Sequence, residues 1–257
     1  MKKILTLLFV ILAAITLIGC DHDDPTDNYR YEQVTKTLFV YMPWTGSKTS
    51  SNGSLTYYLD ANIKSMQNAI NTNGGLKATD IIVYKASSAS QAVMFRMRYN
   101  ITLNKCELDT LNVNAPYNAI TKENLTSLLN QVNSYSNTGY YSILVGCHGS
   151  GWTPKGSEFA KASRAFGGIT PDMQYDLSDL SYAIANSAMK KVEFVSFDDC
   201  YMANVETAYE LRDVTNYLVA STSEVMGDGF PYDTLFKYML GTPDYDNICK
   251  TFYNYYI

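Results

Sequence analysis

Short apolar runs alternate with helix-period segments along most of this chain, and that alternation restricts the fold to a layered α/β arrangement. Residues 37–42 (TLFVYM), 80–84 (DIIVY), 140–147, 192–197 (VEFVSF) and 217–220 read as buried strands. Continuous apolar runs of this length suit strands covered on both faces. Between them, residues 54–71 place Leu59, Ile63, Met66 and Ile70 at helical spacing, and residues 121–134 do the same with Leu125, Leu128, Leu129 and Val132. Thr121 and Glu123 stand where a cap and an acid favour helix entry. Leu177, Leu180, Ile184 and Ala188 continue the helical pattern, as do residues 203–211, 232–240 and a segment from about Asp246. Residues 92–103 differ, because Val93, Phe95, Met97, Tyr99 and Ile101 alternate with smaller or polar side chains. Such alternation suits an antiparallel strand near a sheet margin. The expected fold is a three-layer α/β sandwich: a mostly parallel central sheet flanked by helices on both faces. Residues 29–257 are enough for one such domain.

The N-terminal segment is read separately. Lys2 and Lys3 precede an apolar stretch, residues 4–18, that ends in Leu17-Ile18-Gly19-Cys20. This is the layout of a secretory signal, and the stretch is short for a membrane span. Leu-Ile-Gly-Cys resembles a bacterial lipobox, which implies that residues 1–19 are a lipoprotein signal peptide and Cys20 the lipidated first mature residue. Residues 20–28 then form an acidic tether to a membrane. At the other end, the pattern stops at Tyr255-Tyr256-Ile257 without a closing strand or cap, so the domain is expected to continue beyond it.

Charge and cysteine usage narrow the partners. The net charge is −5 with no basic run, so the phosphate-neutralising surface of a nucleic-acid binder is missing. Beyond Cys20, Cys106, Cys147, Cys200 and Cys249 are widely spaced with no CxxC pair. Neither a zinc site nor a disulfide framework is indicated; a single bridge between Cys106 and Cys249 is left open by an exported location.

The chemistry concentrates in two places. The chain has two histidines, and His22 lies in the acidic N-terminal stretch, so imidazole chemistry in the domain falls on His148. His148 follows one strand run and Cys200 another, and ligands of open α/β sheets collect beyond the carboxyl ends of strands. If the two strands are neighbours, the imidazole can help to generate or orient a thiolate. Cys147 is expected to point to the opposite face and serve as a small buried hydrophobe. Gly149 and Gly151 permit close backbone approach, and an amide at Gly149 is the candidate oxyanion donor. Asp198, two residues before Cys200, is expected on the same side, where a carboxylate could pair with a cationic substrate side chain. The alternative for Asp198, equally open to Asp199, is an Asx-type cap on the following helix. Residues 149–176 read as a working loop.

Four blocks, CHGSGW (147–152), RAFGGI (164–169), FDDCYMANVETAYELRD (197–213) and LVASTSEVMGDGFPY (218–232), together resemble the clostripain-like cysteine peptidases. That resemblance implies the caspase-like fold shared with gingipains and legumains, and cleavage of protein or peptide substrates with Arg or Lys at P1. It implies His148 as general base or acid, Cys200 as nucleophile, Asp198 as the acid at the bottom of the P1 pocket, and Asp228 as a second residue of that pocket. Relatives are often zymogens that cut themselves between the histidine and the cysteine, which makes Lys155, Lys161 and Arg164 the candidate positions. The turn after the first strand, Pro43-Trp44-Thr45-Gly46, departs from the family's acidic or Asn-containing turn. The reaction requires no cofactor; some relatives bind calcium, but no loop here has convincing ligand spacing and none is assigned. The competing readings are a catalytically silent surface lipoprotein that binds peptides or glycans through some of the 22 tyrosines, and a proteolytic switch that cuts only itself.

Overall fold

A computed structural model of the chain describes residues 33–112, 120–151 and 165–257. Its main sheet has seven strands: β1 (Lys36–Met42), β2 (Thr79–Ser88), β3 (Gln91–Asn100), β4 (Lys105–Asn112), β5 (Tyr141–Gly146), β9 (Val192–Asp198) and β10 (Thr215–Val219), in the order β10-β9-β5-β1-β2-β3-β4. From β10 to β2 every pairing is parallel, while β3 and β4 add an antiparallel margin. The alternating run therefore forms β3, as its pattern required. The outermost strand is β4 (KCELDTLN), whose polar composition carries no strand signal.

Side-chain alternation assigns each face of the sheet its helices. Leu38 and Val40 of β1, Ile81 and Val83 of β2, and Leu144 of β5 pack with Leu59, Ile63, Met66 and Ile70 of α1 (Thr56–Asn73). The same layer holds α5 (Tyr232–Leu235), a 3-10 turn at Phe236–Tyr238, and α6 (Tyr245–Tyr256). Phe39, Tyr41, Ile82, Ile143, Val145, Val195 and Phe197 face the other way. They meet α2 (Lys122–Tyr135) and α3 (Leu177–Asn186), with Leu211 of α4 (Val205–Leu211). The fold class is thus the expected α/β sandwich with helices on both faces.

Helix starts follow local chemistry. Thr121 Oγ1 accepts from the amide of Asn124 at 3.2 Å, the Asp176 amide donates to the Asp179 carboxylate at 3.0 Å, and Asn204 Oδ1 accepts from the amide of Thr207 at 2.8 Å. Each satisfies an amide that the first helical turn leaves without an intrahelical partner. Asn204 is the cap of α4, so neither Asp198 nor Asp199 plays the capping role that the sequence left open. The expected working loop at 149–176 also contains regular structure. β6 (His148–Gly149), β7 (Ala165–Gly167) and β8 (Gln174–Asp176) form a separate three-stranded antiparallel sheet. Cys106 is buried in β4, Cys249 is exposed on α6, and both are free, so the bridge left open between them is absent. Among the described residues, no helix is long and apolar enough to cross a membrane.

Candidate active site

The register between β5 and β9 brings the two chemical segments together. Gly146 pairs with Asp198 as the last residues of the parallel ladder, so Cys147-His148 and Asp199-Cys200 leave the sheet side by side at its carboxyl edge. β1 lies on the other side of β5, and its connection through α1 leads away to β2, while α3 leads into β9 on the opposite face. Such a reversal opens a crevice at the strand ends. A cavity of about 220 Å3 occupies it, lined by Leu55, Leu59, Asn62, Cys147, His148, Asp198, Asp199, Cys200, Val225, Met226, Gly227 and Gly229. A larger cavity of about 400 Å3 lies beside α6, but its lining contains no imidazole or acid. The smaller one is lined by an imidazole, two thiols and two carboxylates.

Asp199 ties the two segments to each other. Its Oδ1 accepts from the Cys147 amide at 2.8 Å and its Oδ2 from the Cys147 thiol at 3.4 Å. Burial, then the charge of Asp199, push the Cys147 thiol well above its usual range, and burial does the same to the Asp199 carboxyl. Cys147 is therefore a buried donor rather than a nucleophile, although it is less of a plain hydrophobe than its sequence position suggested. Replacing Asp199 with alanine strands a buried amide and thiol. It is expected to cost about 1–3 kcal/mol, read as a lower denaturant midpoint at unchanged slope.

The histidine is oriented by a loop that sequence reasoning passed over. Its Nε2 lies 2.8 Å from the carbonyl oxygen of Gly53. A carbonyl only accepts, so in the neutral ring Nε2 carries the proton and Nδ1 keeps the lone pair. Gly53 is placed by the segment after β1. There the Thr45 hydroxyl accepts from the Leu55 amide at 2.8 Å and the buried Trp44 indole donates to the Ser47 carbonyl at 2.8 Å. The unusual turn Pro43-Trp44-Thr45-Gly46 thus anchors a loop that does reach the site. Asn52-Gly53 was its legible signal, since Asn-Gly marks turns with a positive φ and Gly53 has φ 75°.

Cys200 sits half-buried on the turn that leaves β9. Tyr201, directly after it, adopts φ 62°, a left-handed conformation that costs a bulky residue of order 1–3 kcal/mol and is held here from both sides. The Tyr201 amide donates to Ser223 O at 3.0 Å and the Ala203 amide to Ser221 O at 2.9 Å. The Val225 amide donates to Cys200 Sγ at 3.4 Å, and the thiol reaches Val225 O at 3.5 Å. Burial raises the Cys200 pKa and the carboxylates Asp199, Glu224 and Asp198 add to it, against the Val225 contact that lowers it. Cys200 therefore rests as a neutral thiol. Gly149 packs against this turn; an added Cβ would stand 2.6 Å from Cys200 O and 2.7 Å from Asp199 Cβ. Only glycine allows the histidine strand to run that close.

Asp198 and Cys200 line the same cavity, as two-residue spacing required. Asp198 is 7% exposed, and its Oδ2 accepts from the Tyr232 hydroxyl at 2.7 Å. Burial pushes its carboxyl up to about 6, opposed by the hydrogen bonds from Tyr232 and the Phe230 amide. Asp228 is exposed and lies outside the lining, although Gly227 and Gly229 on either side belong to it. Cys20, Lys155, Lys161 and Arg164 fall outside the described residues. Among the described residues, no cluster of three or more His, Cys, Asp or Glu side chains could hold a metal ion.

A thiol and an imidazole thus meet at adjacent strand ends of an α/β sandwich. The sequence pattern of the clostripain family matches residues 47–257, and the chain belongs to that family of cysteine peptidases. Among solved structures, it is similar to a secreted C11 cysteine protease from Bacteroides thetaiotaomicron, "iotapain", at 38% identity and a TM-score of 0.75, over 88% of this chain and 63% of that one. A second secreted C11 protease from the same organism, in complex with an irreversible peptide inhibitor, aligns at 20% identity and a TM-score of 0.69, over 86% of this chain and 58% of that one. An inactive zymogen C11 protease from Parabacteroides distasonis aligns at 23% and 0.68, over 88% and 59% respectively. These last two bear on the fold alone. The chain spans about three fifths of the length of each of these structures. No curated protein is significantly similar to it.

Proposed function

We propose that this chain is a cysteine endopeptidase that cuts after Arg or Lys by acyl transfer on Cys200. The observation that carries the reading is the meeting of His148, Cys200 and a buried carboxylate, Asp198, in one cavity. Cys200 Sγ attacks the carbonyl carbon of the scissile bond while His148 Nδ1 takes the thiol proton. The Gly149 amide stabilises the resulting oxyanion. His148 then passes the proton to the leaving amine, the C–N bond breaks, and a thioester remains. Water, giving its proton to His148, attacks the thioester, and the departing sulfur recovers a proton. No step requires a metal. Asp198 holds the P1 cation; Lys155, Lys161 and Arg164 are candidate self-cleavage positions. Export is supported by the description of the 38% identical relative as secreted, and Cys20 is the proposed lipid anchor.

The experiment is turnover of matched peptide amides carrying Arg, Lys, Asp or Ala at P1, by the reduced enzyme. Hydrolysis of the Arg and Lys amides is expected. Preference for Asp or Ala would remove the pocket assignment, and no hydrolysis of any would remove the peptidase reading.

Asp198 also sets a pH dependence. Its carboxyl is raised from 3.8 to about 6 by burial, so kcat/KM for a basic P1 should fall about tenfold per pH unit below about pH 6. A bound cation favours the ionised form, so kcat should break at a lower pH than kcat/KM. For stability the sign is the reverse of the usual carboxylate case. The folded protein binds this proton more tightly than the unfolded chain, so the contribution is fully present below about pH 4 and is lost as pH rises through about 6. Asp198→Asn should therefore raise Tm by a few degrees at pH 7.5 and leave it unchanged at pH 4, as read by thermal unfolding.

A further inference from the structure

The carboxylate at the base of the cavity offers its two oxygens unequally. Oδ2 is taken by the hydroxyl of Tyr232, itself 1% exposed, and the carboxylate also draws on the Phe230 amide, whereas among the described residues Oδ1 is buried with no hydrogen-bond partner. Among the described residues, no other carboxylate oxygen of the lining is free, because Asp199 gives both of its oxygens to Cys147. A further polar neighbour is the buried Asn62, whose amide lies beside Gly229 and carries no charge. Gly229 closes over the occupied side: a Cβ there would stand 2.4 Å from Asp198 Oδ2 and 2.9 Å from Oδ1.

Arginine and lysine ask different things of such a group. A guanidinium gains its advantage from two parallel N–H···O bonds to both oxygens of one carboxylate. An ammonium is a compact charge that needs only one oxygen. We propose that Tyr232 is a specificity-determining residue that makes this a lysine-selective P1 pocket: by holding Oδ2 it leaves a single-oxygen acceptor that fits a primary ammonium better than a guanidinium. This rests on the basic-P1 reading above, and it selects between the two cations which that reading allows.

The test is kcat/KM at pH 8 for peptide amides that differ only at P1, with Lys, Arg, citrulline or norleucine, on the wild-type enzyme and Tyr232→Phe. The wild type should prefer Lys over Arg by about tenfold, equivalent to about 1.4 kcal/mol. Tyr232→Phe frees Oδ2 and should bring the Lys/Arg ratio close to one, chiefly through a gain for Arg. A wild-type ratio at or below one overturns the proposal, and this needs no variant to fold. An unchanged ratio in a Tyr232→Phe protein that still unfolds cooperatively also overturns it. Citrulline and norleucine amides cut as well as Lys and Arg would remove the basic pocket itself, an outcome distinct from a basic pocket that merely favours Arg.

Discussion

Cys200→Ala should lower peptide turnover on the order of a millionfold while leaving the fold intact. The expectation follows from the position of the thiol. Sγ is half-buried just past β9 and, among the described residues, is held by the Val225 backbone, so its removal deletes the proposed nucleophile and little packing. His148→Ala should cost a comparable factor, and the double variant little more than either alone, because groups that act as one unit are not additive. The neutral thiol explains the dependence. With burial and three carboxylates raising its pKa, sulfur does not wait as a preformed thiolate, and in the proposed mechanism His148 takes its proton at the moment of attack. Cys249→Ala should be silent, since that thiol lies on α6 beside a cavity with no imidazole or acid. Turnover is followed with a fluorogenic amide, and folding by thermal unfolding of the same preparations.

Asp198→Asn should lower kcat/KM for a P1 Lys or Arg amide on the order of a hundred- to a thousandfold, and leave a P1 Ala amide within a few fold. Truncating one partner of a buried charge pair costs about 2–5 kcal/mol, much of it the penalty of leaving the other charge unpaired. Asparagine keeps the volume and can still accept from Tyr232, so the charge is what changes. An equal loss on both substrates would mean that Asp198 supports the turn carrying Cys200 rather than the substrate. Taken with the gain in stability expected at pH 7.5, this residue is one at which activity and stability pull in opposite directions.

The layers were legible in the sequence because β1, β2, β5 and β9 bury both faces and so read as continuous apolar runs, while the helices between them carry a period-3.6 pattern. The site was legible in part for the same reason. His148 and Cys200 follow strand runs whose register is fixed by their apolar residues, and Asp198 precedes Cys200 by one strand repeat. β4 escaped because a margin strand with a charged exposed face has no apolar run to betray it. β6, β7 and β8 are two or three residues long and owe their existence to tertiary position. The Gly53 carbonyl, the Tyr232 hydroxyl and the Val225 amide were not legible. Each reaches the site from a distant segment, and each acts through a single contact, two of them through backbone atoms that carry no sequence identity. A capping role was left open to Asp199 because its neighbours in sequence are near a helix, whereas its partner in space lies on the neighbouring strand's exit, 52 residues away.

Covalent capture asks whether Cys200 is the nucleophile of a pocket that recognises a P1 cation. The reduced enzyme is treated with a peptide chloromethyl ketone bearing P1 Lys, then digested and mapped by mass spectrometry, with the P1 Asp ketone in parallel. A single adduct on Cys200 from the Lys reagent, absent with the Asp reagent and lost in His148→Ala, is the predicted result. Labelling of Cys147 or Cys249 instead, or equal labelling of Cys200 by both reagents, would contradict the account.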